Sequence, residues 1–101
     1  MVRGTGVAVQ DRGEEKTKTP RLYRVLLHND DYTTMEFVVM VLVVVFHRSE
    51  TEAVDIMLHV HRKGVGVAGV YSKEIAESRV EKVTRMSREA QFPLLCTMEP
   101  I

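Results

Sequence analysis

The sequence predicts an α+β fold, a small sandwich in which a three-stranded antiparallel sheet packs against three helices in the order β-α-α-β-α-β. Three observations carry that prediction: three short runs of strand formers, two helix-start signatures in which Ser or Thr precedes Glu by three residues, and apolar residues recurring at helical spacing after each signature. With 101 residues the chain is expected to form one domain. A domain of that size buries roughly two thirds of the surface its unfolded chain exposes, enough to stand without staples.

Residues 1–19 hold three glycines, scattered charges and few large apolar groups, and Pro20 closes the stretch. Such a segment buries too little to offset its ordering entropy, so a flexible N-terminal extension is expected, followed by a core domain over residues 20–101. Leu22, Tyr23, Val25, Leu26 and Leu27 form strand one, which stops at the turn cluster Asn29-Asp30-Asp31. Thr33 with Glu36 is a capping box that places the start of helix one at Thr33. Six of the ten residues from Phe37 to Phe46 are valine, which prefers strands. Helix is nevertheless expected, because the cap is strong and the turn cluster leaves no hairpin loop that would fold this run back on strand one. Valines on the outer face of such a helix imply either a covered face or an exposed patch.

Ser49 and Glu52 make the second capping box, and Ala53, Ile56, Met57 and Val60 follow as the buried stripe of a helix that runs to about Arg62. Val65 to Tyr71 reads as a glycine-containing strand. Ser72 is placed to cap helix three, with Ile75, Ala76, Val80, Val83, Met86 and Ala90 inside and Glu74, Glu77, Arg79, Glu81 and Lys82 outside. Phe92-Pro93 ends it, and Leu94 to Met98 reads as the last strand.

The 14 basic and 14 acidic residues balance, so no basic field is present to hold phosphates or an anionic membrane, and neither nucleic acid nor membrane is an expected partner. A lone Cys96, no signal segment and no apolar run long enough to span a bilayer lead to the expectation of a soluble protein of a reducing cytoplasm. Gly64, Gly66 and Gly69 match the spacing of a dinucleotide fingerprint, but inside an apolar strand, where it carries nothing. Asp30 and Asp31 are adjacent at a turn and point apart, unlike a coupled acid–base pair. Cys96 lies in an apolar strand, as inert cysteines do. His59 and His61 stand about 200° apart around a helix, which is not a shared-metal spacing. No catalytic residue, metal or cofactor is therefore assigned.

The corner from Leu26 to Glu36 suits another chemistry. An ammonium presents three N–H donors and is held by converging acceptors: an amide oxygen such as Asn29, a carboxylate such as Asp30 or Asp31, and a neutral imidazole such as His61. Met35 and Val38 beside the corner, with Met57 and Val60 on helix two, could line an apolar pocket for a side chain attached to that amine. From spacing alone, ordinary core is the favoured reading of the same residues.

Asn29-Asp30-Asp31-Tyr32-Thr33, Met35-Glu36-Phe37-Val38, Met57-Leu58-His59-Val60-His61, Gly69-Val70-Tyr71, Ala76-Glu77 and Pro93-Leu94-Leu95-Cys96-Thr97-Met98-Glu99 together closely resemble the ClpS family, adaptors of the bacterial N-end rule pathway. The resemblance covers about residues 20–101. It implies a non-enzymatic adaptor that binds N-degron peptides and proteins with a bulky first residue, Leu, Phe, Tyr or Trp, and delivers them to the ClpAP protease through the N-domain of the ClpA unfoldase. By position it implies an α-amino clamp of Asn29, Asp30, Asp31 and His61. It implies a side-chain pocket of Leu27, Thr33, Met35, Val38, Met57, Val60 and Leu94, with Met35 similar to the gatekeeper that turns away β-branched residues. Glu74 and Arg79 are the implied unfoldase contacts, Arg79 standing where a lysine is common. A monomer is the expected state. Thr34 replaces a frequent proline, and Met40, Val43 and Val44 stand where members often carry polar residues, departures that leave a partner surface, altered selectivity and simple drift open, with a second paralogue of narrower preferences among the readings. An interaction module of the translation machinery, docking on a ribosomal or factor surface, is the alternative for a small helix-rich domain of this kind.

Overall fold

The computed structural model describes residues 20–101; the N-terminal extension expected over residues 1–19 lies outside them. The elements are β1 (Leu22–His28), α1 (Met35–Val44), α2 (Glu50–Lys63), β2 (Val65–Ser72), α3 (Lys73–Ala90) and β3 (Leu95–Pro100). Both neighbours of β1 pair with it antiparallel, giving the order β2-β1-β3. The α+β class and the element order are those expected.

β1 is central because it alone has a ladder on both edges. Its Val25 and Leu27 are completely buried. They are two residues apart, so they share the face of the pleat that the helices cover. Leu27 is flanked by Gly66 of β2 and Cys96 of β3. The register with β2 slips between Val25 and Leu26: Val25 pairs with Gly69 and Leu26 with Val67, leaving Ala68 unpaired. This bulge puts Ala68 and Gly69 both on the buried side. The Ala68 carbonyl accepts a 3.0 Å bond from Arg48 Nε. Burial pushes the Cys96 thiol up to about 12, which fits the inert role expected of it.

The valine-rich run is a helix, and its start differs by one residue from the expectation. Thr34, not Thr33, is the N-cap: its hydroxyl accepts from the Phe37 amide at 3.1 Å. Phe37, Val38, Val41 and Leu42 make the buried stripe. Packing of that stripe outweighs the modest helix penalty of valine. The helix stops at Val44, two residues before Phe46, and His47 turns the chain with φ 55°. Met40, Val43 and Val44 remain exposed.

α2 carries the expected capping box, Ser49 accepting from the Glu52 amide at 3.2 Å while Glu52 accepts from the Ser49 amide at 3.0 Å. These bonds hold the Glu52 carboxyl below its ordinary value. Ala53, Met57 and Val60 are its buried residues, and it closes on Gly64. α3 differs from its expectation at several residues. The Ser72 side chain makes no cap bond, because β2 runs directly into the helix. Ile75 and Ala90 are exposed, and Ser87 is buried instead, its Oγ donating to the Val83 carbonyl at 2.7 Å. Ala76, Val83 and Ser87, seven and four residues apart, define the true stripe.

Gly64 has φ 91°, a left-handed conformation that costs any side-chain-bearing residue. Gly64→Ala should destabilise the protein by about 1 kcal/mol, read as a lower urea midpoint at unchanged slope.

Candidate functional site

The end of β1 and the end of α2 meet at a cavity of about 230 Å³. Gly64 joins them. As the C-cap of α2 its amide donates to the Val60 carbonyl, and its own carbonyl accepts from the Asn29 amide, each at 2.8 Å. One residue therefore fixes the acidic corner against the helix that carries His61.

The cavity is lined by His28, Asn29, Asp30, Asp31, Thr33, Met35, Val38, Met57, Val60, His61 and Leu94. Polar and apolar groups are segregated by origin: the β1–α1 corner and His61 supply acceptors, while α1, the middle of α2 and the residue before β3 supply Met35, Val38, Met57, Val60 and Leu94. The arrangement suits a ligand with a cationic donor at one end and an apolar body at the other. The C-terminal end of α2 adds partial negative charge beside the acceptors.

Asp30 is more engaged than its sequence context suggests. Its Oδ1 accepts from the amides of Tyr32 at 2.8 Å and Thr33 at 2.7 Å, and its Oδ2 from the Thr33 hydroxyl at 2.8 Å. Thr33 is thus part of the turn instead of the helix cap: its amide and hydroxyl both donate to Asp30, and the hydroxyl of Thr34 is the one that accepts from the first turn of α1. Burial pushes the Asp30 carboxyl up, but the Thr33 and Tyr32 amides and the Thr33 hydroxyl outweigh it and hold the group below its ordinary value.

Of the residues assigned from the sequence, Leu27 alone among the clamp and pocket sets does not line the cavity; it is completely buried in the sheet. His28 joins the lining without a sequence motif to mark it. It ends β1 next to the turn cluster, and its Nε2 lies 2.8 Å from Thr97 Oγ1, so its place in the register is the available signal. Glu74 and Arg79 are on α3, away from the cavity. Glu74 is exposed in the first turn, but Arg79, expected outside, is half-buried, with Cζ 5.5 Å from the Tyr71 ring centroid. Its Nε is buried with no partner among the described residues. Among the described residues no group of three His, Cys, Asp or Glu side chains could hold a metal ion, and no helix is long and apolar enough to cross a membrane.

The family model described as "ATP-dependent Clp protease adaptor protein ClpS" matches residues 18–97. The ATP-dependent Clp protease adapter protein ClpS of Myxococcus xanthus is 55% identical over 96 residues, which is 95% of this chain and 90% of that one. Its counterpart from Desulfatibacillum aliphaticivorans is 60% identical over 86 residues, 85% of this chain and 83% of the relative. Among solved structures, Agrobacterium tumefaciens ClpS2 bound to L-phenylalaninamide is similar with a TM-score of 0.80 and 44% identity, covering 82% of this chain and 100% of that one.

The wall on the α2 side depends on a missing side chain. A Cβ on Gly66 would lie 2.7 Å from Val60 Cγ2 and 3.2 Å from His59 Cδ2, so the close approach of β2 to α2 at that point requires glycine. Gly66→Ala should push Val60 toward the cavity, costing about 1–3 kcal/mol of stability and weakening whatever ligand fills the apolar end more than a surface substitution of equal stability cost. Asp30 gives a second expectation with a definite sign. Its folded-state value is lowered from the usual 3.8, so its contribution is fully present above that value and is lost as pH falls through the lowered one. The stability gap between the native chain and Asp30→Asn should therefore be level at neutral pH and close below about pH 4, measured by urea melts at stepped pH.

Proposed function

The chain belongs to the ClpS family of ATP-dependent Clp protease adaptor proteins, and from that membership we propose how its cavity recognises a substrate. The protein is an adaptor that recognises N-degron proteins by their free α-amino group and bulky hydrophobic first residue and brings them to the Clp protease. The observation that carries the reading is the junction of hydrogen-bond acceptors and an apolar wall in one cavity of about 230 Å³. That volume is below the range of drug-sized pockets and suits one large side chain with its amine.

In this reading Asn29, Asp31 and His61 accept from the substrate ammonium. Asp30 contributes negative charge while its oxygens hold the turn that aims its neighbours. His61 accepts only as the neutral imidazole, so protonating it converts an acceptor into a donor and weakens binding. Met35, Val38, Met57, Val60 and Leu94 enclose the first side chain, and Thr33 closes the seam between the two halves. The ClpS2 relative was solved with L-phenylalaninamide, an amine attached to a large apolar side chain, and that chemistry supports the same use here. Delivery is to the N-domain of a ClpA-type unfoldase, with Glu74 on the exposed side of α3 as a contact. Arg79 lies across Tyr71, so its share in that contact is through the part of the guanidinium left uncovered. The protein acts without catalysis, as a monomer. Family membership favours this reading over a module of the translation machinery.

A peptide panel differing only in the first residue, with and without an acetylated amine, tests both halves of the site. Leu, Phe, Tyr or Trp should bind, and acetylation should weaken binding by about 100-fold, the loss expected when charge-assisted bonds to the ammonium are removed. Asp31→Ala or His61→Ala should weaken the free-amine peptides and leave the residual binding of acetylated ones little changed. Equal affinity for acetylated and free peptides would overturn the clamp.

A further inference from the structure

Beside the cavity lies a second, more open depression, about 360 Å³, lined by Met35, Glu36, Val39, Met40 and Met57. Met35 and Met57 line both depressions, so the two are adjacent and share a wall. Apart from Glu36 the lining is apolar, and Met35 and Met40 are 44% and 39% exposed. A surface of this kind beside a pocket invites a second contact from the same ligand.

The geometry of an extended chain says which part of the ligand reaches it. Met35, 44% exposed, stands where the two depressions meet, and a protein held by its first residue has a path out of the cavity past it. In an extended segment alternate side chains face the same way, about 6.6 Å apart. The step from Met35 to Val39 is four residues of helix, about 6 Å along the axis. A segment laid along α1 with its first side chain in the cavity would turn its second side chain away from the surface and bring its third over Val39 and Met40.

Resting on the reading of the cavity as a site for an N-terminal residue, we propose that this groove is a subsite for an apolar side chain at the third position of the bound chain. Glu36 at its rim sets it against an acidic residue there. Selectivity would then extend beyond the first residue, and the exposed methionines would have a partner: the substrate's own continuing segment. Methionine suits that task because its unbranched thioether adapts to side chains of different shape.

The test is fluorescence anisotropy with three labelled peptides beginning Phe-Ser-Leu, Phe-Ser-Ser and Phe-Ser-Asp and otherwise identical, on the native chain and on Met40→Gln. The native chain should bind the Leu peptide about fivefold tighter than the Ser peptide, as expected for partly burying one aliphatic side chain, and should bind the Asp peptide weakest. In Met40→Gln, with its circular dichroism unchanged, the Leu preference should shrink to less than about twofold. Competition by phenylalaninamide, which has no third residue, separates the two readings. If the native chain binds phenylalaninamide but the three peptides equally, the groove is overturned and the cavity stands. A Leu preference that survives Met40→Gln also overturns the groove, and failure to bind phenylalaninamide overturns the cavity and the groove together.

Discussion

A single backbone hydrogen bond, from the Asn29 amide to the Gly64 carbonyl at 2.8 Å, ties together the two segments that supply the polar end of the cavity. Neither segment makes the site alone. The corner after β1 carries acceptors but has no apolar floor, and the end of α2 carries one imidazole and a hydrophobic stripe. The bond forms because Gly64 leaves the helix at φ 91°. That turn directs the carbonyl toward β1 while β2 begins at Val65 and runs back along the same strand. The pairing of His28 with Val65 then continues what the Asn29–Gly64 bond starts, so cavity and sheet share one register.

Within that frame the two chemistries of the site are supplied by different kinds of local structure. The acceptors come from a turn whose shape is fixed by Asp30, three of whose hydrogen bonds are made to residues two and three places on. Short-range bonds of that kind hold a loop with little help from the core. The apolar wall comes from helices, whose positions are set by the core cluster that includes Val38, Met57, Val60 and Leu94. The proposed pocket thus belongs to the hydrophobic core on one side and to a self-supporting turn on the other. Filling it would extend the core outward by one side chain, which gives the hydrophobic effect as the source of affinity and leaves orientation to the polar corner.

Fold class and element order are legible in the sequence because each rests on a local signal, whereas the cavity lining as a set comes from the resemblance to the ClpS family. Capping boxes, turn clusters and the 3.6-residue period identify elements without reference to the rest of the chain. The features that are not legible depend on competition between two adequate local solutions. Thr33 and Thr34 can both cap a helix, and the turn that Asp30 holds through the Thr33 amide and hydroxyl leaves Thr34 at the position that meets the Phe37 amide. Ile75 and Ala90 fit a helical stripe nearly as well as Ser87 does, and only the position of the sheet decides which is covered. Resemblance places Leu27 in the pocket, yet this second-last residue of the central strand, flanked by Gly66 and Cys96, is completely buried in the sheet and does not line the cavity. Charge alone predicts Arg79 outside; the Tyr71 ring that draws it inward lies on another element.

The valines of α1 and the methionines around it divide the work of selecting a ligand, on the proposed reading. Val38 and Val60 are β-branched, hold one side-chain rotamer in a helix and so give the cavity a stiff floor. Met35 and Met57 are unbranched and can move to suit the group that enters. A stiff floor sets the depth available to the first side chain, and mobile thioethers set how wide a group can pass. β-Branching in the ligand adds width next to its main chain, where Met35 stands at the mouth, and not at the floor. Discrimination against such residues would therefore act at the rim. The same methionine lines both the cavity and the groove along α1, so the residue that would limit the first position would also begin the surface proposed for later residues of the bound chain.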